Sequence, residues 1–517
     1  MPSVYVRSKQ VAKCLQQAGW RGDLAAMLLG LSGPLAFSPF NLFWVPIVLL
    51  ALLLTLLTEL TSQQMARRAF LAGLGFFSFG ISAVYYSIHD YGHAGVALSL
   101  LMTGLFAVYL ASFWGLFGWL LGRFLNLSRA FDVLLVVPTL WVLVEYFRGV
   151  FLSGFPWLFL GYSQLNSPLS GWVPVVGVMG VSWLLCFSAV IVYWLLHRRQ
   201  ACPAVTMTII GIGLTCWLGG AALLFVRWTQ PVGELIQVSL VQANTAQEDK
   251  WRVNKREKII EQHLKLTQQH YDSDLIVWSE NALPAFYHQM RPLLAALDLE
   301  AKKNQTEVLL GLQLWEKKTR RYYNSMVSVG GMPNQYKKRH LLMFGEYVPL
   351  EKWLRGVIEF FNLPMSSFSA GSANQPLLHL AGHPVGVAIC YEIAFPWELN
   401  QYFPNSHFLV HVSNDTWFGN SIGPWQHLEQ ARMRALEYGR PLVRATNNGI
   451  TAVINDTGAV VKVVPQFQTV VLTEHIQPMT GKTPYARMGH WLLNVFLMVT
   501  LVLFGIRQWL EARRNVE

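Results

Sequence analysis

Along the first 226 positions apolar residues come in blocks of about twenty, the length an α-helix needs to cross a bilayer core, with short polar breaks between them. The blocks predict spans at Leu24–Phe40, Leu42–Leu60, Phe70–Ile88, Gly95–Leu121, Val133–Phe151, Val175–Leu196 and Val205–Phe225, with one more at Met488–Ile506 near the end of the chain. Only a turn at Pro39–Asn41 parts the first two, so both could tilt or one could be re-entrant. The expectation is a bundle of about eight transmembrane helices.

Past Leu235 the pattern changes to short runs. Leu235–Val241, Leu275–Trp278, Val308–Leu314, Tyr323–Val329, Val385–Ile389, Phe408–Ser413, Leu442–Ala445, Ile450–Ile454 and Val460–Val464 read as strands. Arg256–His270 and Gln426–Tyr438 read as amphipathic helices between them, with Ile259, Ile260, Leu264 and Leu266 near one face of the first. Strands alternating with helices predict an α/β sheet domain. The stretch Gly356–Pro376 is rich in Ser, Asn, Gly and Pro yet carries Ile358, Phe360, Phe361, Leu363, Met365 and Phe368. Apolar side chains on a loop need a partner: either the domain itself, or the bilayer if the loop is a lid.

Composition sharpens the boundary. The chain is 53% hydrophobic and 13% charged, against roughly 25% charged in soluble chains. The deficit lies between Asp23 and Val226, and ordinary charge density returns from Gly233 to Thr483. Three regions follow: 1–230, a bundle of about seven helices; 231–485, a soluble domain long enough for its own core; and 486–517, a last helix and tail. The net charge of +11 could suggest nucleic acid, but the basic residues of the first half sit at helix ends and report topology instead. Arg7, Lys9, Lys13 and Arg21, Arg67 and Arg68, Arg123 and Arg129, Arg198 and Arg199, and Arg507, Arg513 and Arg514 mark alternate loops and both ends. The positive-inside rule then places both termini in the cytoplasm and the 231–485 domain on the outer side. No cleaved signal peptide is expected. His89, Asp90 and His93 cluster at one outer helix end, and Glu145 and Arg148 stand one turn apart at another. These are either interfacial ion pairs or a polar site for lipid headgroups. Neither zinc-type cysteine spacing nor a phosphate-loop glycine motif occurs, so no metal, cofactor or nucleic-acid partner is expected.

Of five cysteines only Cys390 falls in the outer domain. A lone thiol in an oxidising compartment is a liability, and it reads either as a buried, inert hydrophobe or as a nucleophile. Cys390 ends the hydrophobic strand Val385–Ile389 and so stands at the rim of a sheet, where substrates bind. The backbone N–H of Tyr391 is placed to stabilise an oxyanion. Glu280 closes the strand Leu275–Ser279 in the same way, and Lys338 follows the strand Tyr323–Val329. A thiol needs a base and a stabiliser, and these two residues supply both types.

Together these segments resemble the nitrilase, or carbon–nitrogen hydrolase, superfamily. The resemblance rests on Trp278–Ser279–Glu280, on Tyr336 to Leu341, on residues 344–350 (Phe-Gly-Glu-Tyr-Val-Pro-Leu) and on Ile389–Cys390–Tyr391–Glu392. It continues through residues 413–419 (Ser-Asn-Asp-Thr-Trp-Phe-Gly), 423–427 and 431–435. With a hydrophobic bundle ahead of such a domain, the chain is most similar to the apolipoprotein N-acyltransferase family over nearly its whole length. The resemblance implies an αββα sandwich in the soluble domain, with Glu280 as general base, Lys338 as oxyanion stabiliser and Cys390 as nucleophile. It further implies support from Glu346, Tyr391 and Glu392, an aromatic gate at Trp417 and a lid tryptophan at Trp251; the motif lysine is assigned to Lys338 rather than Lys337 from its distance to His340. It implies a ping-pong transfer from the sn-1 ester of a phospholipid, phosphatidylethanolamine above all, to the α-amino group of a diacylglyceryl-cysteine lipoprotein. The enzyme would be a monomer of the bacterial inner membrane with its catalytic domain in the periplasm. Phe360 and Phe361 of the apolar loop, with Glu145 and Arg148, are the remaining candidates for lipid contact. Two other classes were weighed. A membrane-tethered amidase would use the same triad with water as second nucleophile, but leaves the helices without a role. A transporter or lipid-binding protein leaves the triad without one, and the spans hold few of the paired charges that an ion-coupled carrier needs.

Overall fold

A computed structural model of the chain describes residues 15–197, 202–250, 252–347 and 368–514. The chain divides into two compact units. The first comprises Met1–Tyr85, Val96–Val226 and Met488–Glu517; the second comprises Arg227–Arg487 together with the short segment Tyr86–Gly95.

The first unit is helical. Among the described residues five helices are long and apolar enough to cross a bilayer: Val96–Phe124, Asp132–Ser153, Pro168–His197, Pro203–Leu223 and Trp491–Arg514. A sixth counts if Ser62–Gly80 and Ala83–Tyr91, bent by 54°, form one span. The described residues therefore do not confirm the expected count of eight. The first two predicted spans are instead the 13-residue helices Trp20–Ser32 and Val45–Leu57. At 1.5 Å per residue each is about 20 Å long, short of the roughly 30 Å hydrocarbon core. Trp491, Met498, Val499 and Val502 stand exposed on the last helix, as a lipid solvent requires. Arg67 and Arg68, read from sequence as loop charges, lie on the helix Ser62–Gly80. Arg68 is fully buried: it pairs with Asp23 and donates to the carbonyls of Leu15, Gln16, Gln17 and Leu56. Glu145 and Arg148 are buried too, rather than set at a wet helix end. The Arg148 guanidinium donates to the carbonyls of Phe155 and Trp157, and Glu145 accepts from the Leu160 N–H.

The second unit carries two six-stranded sheets. In chain order the strands are β1 (Ile236–Gln242), β2 (Leu275–Trp278), β3 (Glu307–Glu316), β4 (Arg321–Val329), β5 (Gln335–Lys337), β6 (Leu378–Leu380), β7 (His383–Ile389), β8 (Phe408–Ser413), β9 (Leu442–Thr446), β10 (Ala452–Ile454), β11 (Val460–Val463) and β12 (Val470–Ile476). One sheet runs β12-β1-β2-β3-β4-β5 and the other β11-β10-β9-β8-β7-β6. Each has a parallel centre, β1-β2-β3 and β7-β8-β9, flanked by antiparallel strands.

Side-chain alternation along the strands builds the layers. Val238, Leu240, Leu275 and Val277 of the first sheet meet Val385, Val387, Ile389, Phe408, Val410 and Val412 of the second in one fully buried cluster. The opposite face of the first sheet packs through Ile276, Trp278, Val308 and Leu310 on Leu294, Leu297 and Ala301 of the helix Arg291–Lys303. That of the second packs through Ala388, Leu409 and Leu442 on Leu428, Ala431 and Ala435 of the helix Gly423–Tyr438. The order is helix, sheet, sheet, helix. The parallel centres end at the same rim as their strands' carboxyl termini, where open α/β sheets hold their ligands.

Candidate active site

Glu280 comes from the first sheet, two residues past the end of β2. Its carboxylate is buried and held from two sides: Oε1 accepts from Asn324 Nδ2 at 2.6 Å, and Oε2 from the Asn414 N–H at 2.9 Å. Gly311 of β3 makes room for this turn. A Cβ there would lie 2.4 Å from the Ser279 carbonyl oxygen and 2.6 Å from the Asn281 nitrogen. Lys338 directly follows β5 and is 1% exposed. Its N–H donates to the Asn324 carbonyl at 2.8 Å, which sets it beside β4. The ammonium lies 2.7 Å from Glu346 Oε2 and 3.7 Å from Glu280 Oε1. Glu346 is fixed in turn by Asn324 Nδ2 at 3.0 Å and the Leu342 N–H at 2.9 Å. Burial works to lower the Lys338 pKa, but the charges of Glu346, Cys390 and Glu280 outweigh it, so the pKa is raised and the lysine stays protonated.

Cys390 comes from the second sheet. It follows Ile389 at the end of β7 and opens a short helical turn, Cys390–Ala394. Its φ of 53° is in the left-handed region, which costs a residue other than glycine about 1–3 kcal/mol and persists only where the surroundings enforce it. Glu392 is part of that enforcement. It is buried; Oε2 accepts from the Ile389 N–H at 2.7 Å, and Oε1 from the N–H groups of Arg339 at 2.5 Å and His340 at 3.3 Å. The Tyr336 hydroxyl donates to the same carboxylate at 3.0 Å. One side chain thus ties the cysteine's turn to the backbone just beyond Lys338. Burial raises the Glu392 pKa against these bonds. Burial, and next the Glu280 charge, also raise the Cys390 pKa, while Lys338 pulls it down. The balance leaves a thiol rather than a thiolate. Tyr391 is buried against Phe395, with ring centroids 5.0 Å apart.

The sheet ends thus bring together Glu280, Lys338, Glu346, Cys390, Tyr391 and Glu392. Trp417 lies on the turn Asp415–Phe418; its carbonyl accepts from Ser87 Oγ at 2.7 Å, and its ring meets Tyr91 edge-on at 5.6 Å. Trp251, Phe360 and Phe361 lie outside the described residues. Glu145 and Arg148 belong to the helical unit.

Sequence reading passed over several residues that hold the site. Asn324 bridges the two carboxylates, and its signal was an amide inside the apolar run Tyr323–Val329. Asn414 donates to Gln247 at 2.9 Å besides holding Glu280. Lys250 is buried and donates to the Glu280 carbonyl at 3.3 Å. Burial lowers its pKa to about 8, against the Glu280 charge. Behind Cys390 stands a buried network. Asp415 accepts from Ser413 at 2.7 Å, from His427 at 2.9 Å and from Arg444 at 2.5 Å, and His411 and His427 both reach the Cys390 carbonyl.

A thiol, a carboxylate and a buried ammonium at the joint rim of two sheets suit attack on a carbonyl carbon, with proton transfer and charge stabilisation provided by the protein. This fold and rim define a class: residues 237–485 match the profile of the family described as Carbon-nitrogen hydrolase. Residues 29–191 match the one described as Apolipoprotein N-acyltransferase N-terminal domain. Proteins named apolipoprotein N-acyltransferase are similar over most of the chain. That of Methylococcus capsulatus is 42% identical over 475 residues, covering 90% of this chain and 93% of its own length. That of Vibrio cholerae is 42% identical over 483 residues, covering 90% and 93%. That of Pseudomonas aeruginosa strain LESB58 is 41% identical over 484 residues, covering 92% and 94%. The chain belongs to the apolipoprotein N-acyltransferase family.

Proposed function

We propose that this protein moves the sn-1 acyl chain of a phospholipid, phosphatidylethanolamine first among them, to the N-terminal α-amino group of a diacylglyceryl-cysteine lipoprotein. Cys390 Sγ attacks the ester carbonyl as Glu280 takes its proton, and Lys338 with the Tyr391 N–H meets the oxyanion. The tetrahedral adduct collapses by breaking the ester C–O bond. Glu280 returns the proton to the leaving alkoxide, and a lysophospholipid departs from the thioester. The lipoprotein amine then attacks the thioester and gives its proton to Glu280. The C–S bond breaks, and Cys390 is reprotonated as the amide forms.

The observation that carries this reading is the buried Lys338 ammonium between Glu280 and Glu346, with its charge acting on the Cys390 thiol. A thiol held protonated at rest needs a base in contact during attack, and such a base contributes typically ~10²–10⁴-fold. Glu346, Tyr391 and Glu392 support the arrangement, and Trp417 borders the acyl path. The apolar helices fit a donor that lives in a membrane, and the loop charges support cytoplasmic termini with residues 231–485 in the periplasm of the inner membrane. The working unit on this reading is a monomer.

Mass spectrometry of the intact protein after exposure to phosphatidylethanolamine tests the reading. An acyl mass on Cys390 is expected, none on Cys390→Ser, and acylation slowed by at least about a hundredfold in Glu280→Gln. Full transfer by Cys390→Ser would overturn it. Discharge of the acyl-enzyme to water as fast as to a lipoprotein amine would make the protein a tethered hydrolase instead.

A further inference from the structure

The carbonyl of Cys390 faces two imidazoles. His411 Nε2 lies 3.1 Å from its oxygen and His427 Nε2 lies 3.2 Å from it, and both rings are buried. They arrive from different elements. His411 is on β8 with its side chain on the helix-facing side of the sheet, because Val410 and Val412 point into the sandwich; His427 is in the first turns of the helix Gly423–Tyr438. The ring centroids are 4.9 Å apart and nearly perpendicular.

Each far nitrogen is anchored as well. Arg444 is the register neighbour of His411 on β9 and donates to His411 Nδ1 at 2.5 Å. A guanidinium only donates, so the His411 proton is on Nε2, facing the carbonyl. His427 Nδ1 lies 2.9 Å from Asp415 Oδ1, and Arg444 joins Asp415 Oδ2. A carboxylate only accepts, and burial lowers the His427 pKa, so the neutral ring carries its proton on Nδ1 and the donor to the Cys390 carbonyl is His411. The network is a closed frame that sets the His411 N–H on one main-chain oxygen.

That oxygen matters because of what shares its peptide plane. The Cys390–Tyr391 bond is trans, so the Cys390 C=O and the Tyr391 N–H point in opposite directions from one rigid plane. Fixing the oxygen fixes the N–H, and donors on a carbonyl also polarise the N–H of the same amide. We propose that His411 is a positioning residue for acyl transfer: gripping the Cys390 carbonyl, it locks the peptide plane so that the Tyr391 N–H meets the oxyanion. The proposal rests on Cys390 being the nucleophile.

Asparagine and glutamine separate the grip from mere packing. At position 411 an Asn amide mimics the Nδ1 side of histidine and keeps the Arg444 contact while falling short of the Cys390 oxygen; a Gln amide reaches as far as Nε2. Two reactions of the full chain in detergent are compared. Acylation of Cys390 by phosphatidylethanolamine passes through an oxyanion, whereas alkylation by iodoacetamide does not. We expect His411→Asn to lower the single-turnover acylation rate at saturating lipid about 30–100-fold, somewhat less than outright loss of an oxyanion donor. Alkylation should stay within about threefold of the parent, and His411→Gln should recover most of the acylation rate. Acylation that is unchanged in His411→Asn, acylation and alkylation falling together, or a Gln variant as slow as the Asn variant would each overturn the proposal. If the parent itself acquires no acyl group on Cys390, it is the nucleophile assignment that fails, a result visible before any variant is made.

Discussion

Replacing Asp415 by leucine removes the carboxylate on which the network behind Cys390 is built. Asp415 is 2% exposed and accepts from Arg444 at 2.5 Å, Ser413 at 2.7 Å and His427 at 2.9 Å. Leucine leaves the Arg444 charge in place, fully buried, with neutral acceptors alone: the Ile450 carbonyl at 3.2 Å and ring nitrogens of His411 and His427. Removing one partner of a buried ion pair costs about 3–5 kcal/mol, chiefly because the other charge stays buried. Asparagine is milder. Turned so that its oxygen faces Arg444, it sets its amide against Ser413 Oγ and His427 Nδ1, both of which can accept. What is lost is then a charge-assisted bond turned neutral, about 1–2 kcal/mol.

For a unit of this size each kcal/mol moves the unfolding midpoint by about 2–4 °C. Asp415→Leu is therefore expected to lower it by about 6–20 °C, and Asp415→Asn by roughly 2–8 °C. The measurement is tryptophan fluorescence on the purified full chain in detergent during a thermal ramp. Burial works to raise the Asp415 pKa, but Arg444 and His427 overcome it and hold the carboxyl below its ordinary value. The sign follows: a depressed pKa contributes stability that is present above about pH 3.9 and lost as pH falls toward the folded-state value. The gap between parent and Asp415→Asn should accordingly narrow below about pH 4. A leucine variant that melts within about 2 °C of the parent, or an asparagine variant as damaged as leucine, would refute the reasoning.

Three further perturbations probe other parts of the molecule. Gly311→Ala puts a methyl carbon 2.4 Å from the Ser279 carbonyl; the turn bearing Glu280 must shift, and acylation should fall at least about tenfold with alkylation of Cys390 less affected. Burial holds Lys250 at about 8 when folded against about 10.4 unfolded, so between those values the unfolded chain binds more protons and stability rises with pH, by at most ~3 kcal/mol. Lys250→Met should lack that rise in thermal scans from pH 7.5 to 10, and parallel curves would remove Lys250 as its source. In the helical unit Arg507 pairs with the fully buried Asp132 at 2.8 Å and with Glu511 at 3.1 Å. Arg507→Leu should destabilise the detergent-solubilised protein by about 2–4 kcal/mol, and Arg507→Leu/Asp132→Leu should recover much of it; a double variant worse than the single would argue against the pair.

Local pattern carried the strands that are long and buried on both faces. Leu275–Trp278 and Phe408–Ser413 were read with the bounds they have. The edge strand β12 escaped, because Thr473, Glu474 and His475 break its apolar run where one face meets water. The three-residue strands β5 and β6 are too short to show alternation. Hydropathy read longer helices at the first two spans for a related reason: it sums apolar residues without asking whether α-helical hydrogen bonds continue, and between Ser32 and Val45 they give way to a 3-10 turn at Gly33–Ala36 and to non-helical chain while apolar residues go on. Arg67 and Arg68 read as loop charges because nothing nearby in sequence announces that Asp23 and the carbonyls of residues 15–17 will surround Arg68. The site divides the same way. Glu280, Lys338 and Cys390 were legible as candidate side chains just past strand ends. Asn324, Asn414, His411 and Arg444 act on partners brought across by sheet pairing and by the meeting of two sheets, which a linear pattern does not contain.

On the proposed reading two carboxylates compete for one lysine, and the distances decide which of them is left to act as base. At an effective dielectric of about 20, a charge pair at 2.7 Å is worth about 6 kcal/mol and one at 3.7 Å about 4.5 kcal/mol. Only the Glu346 contact is also within hydrogen-bond reach. Glu346 therefore takes the closer hold on Lys338, and on this reading the farther carboxylate, Glu280, is left to act as base. Its neighbours aim it without neutralising it: the Asn324 amide and the Asn414 N–H are both uncharged donors. Burial, and next the Glu280 charge, keep Cys390 a thiol until an ester arrives. In that state the nucleophile is protected from adventitious chemistry, and the proton that Glu280 accepts during attack is the one the leaving alkoxide needs.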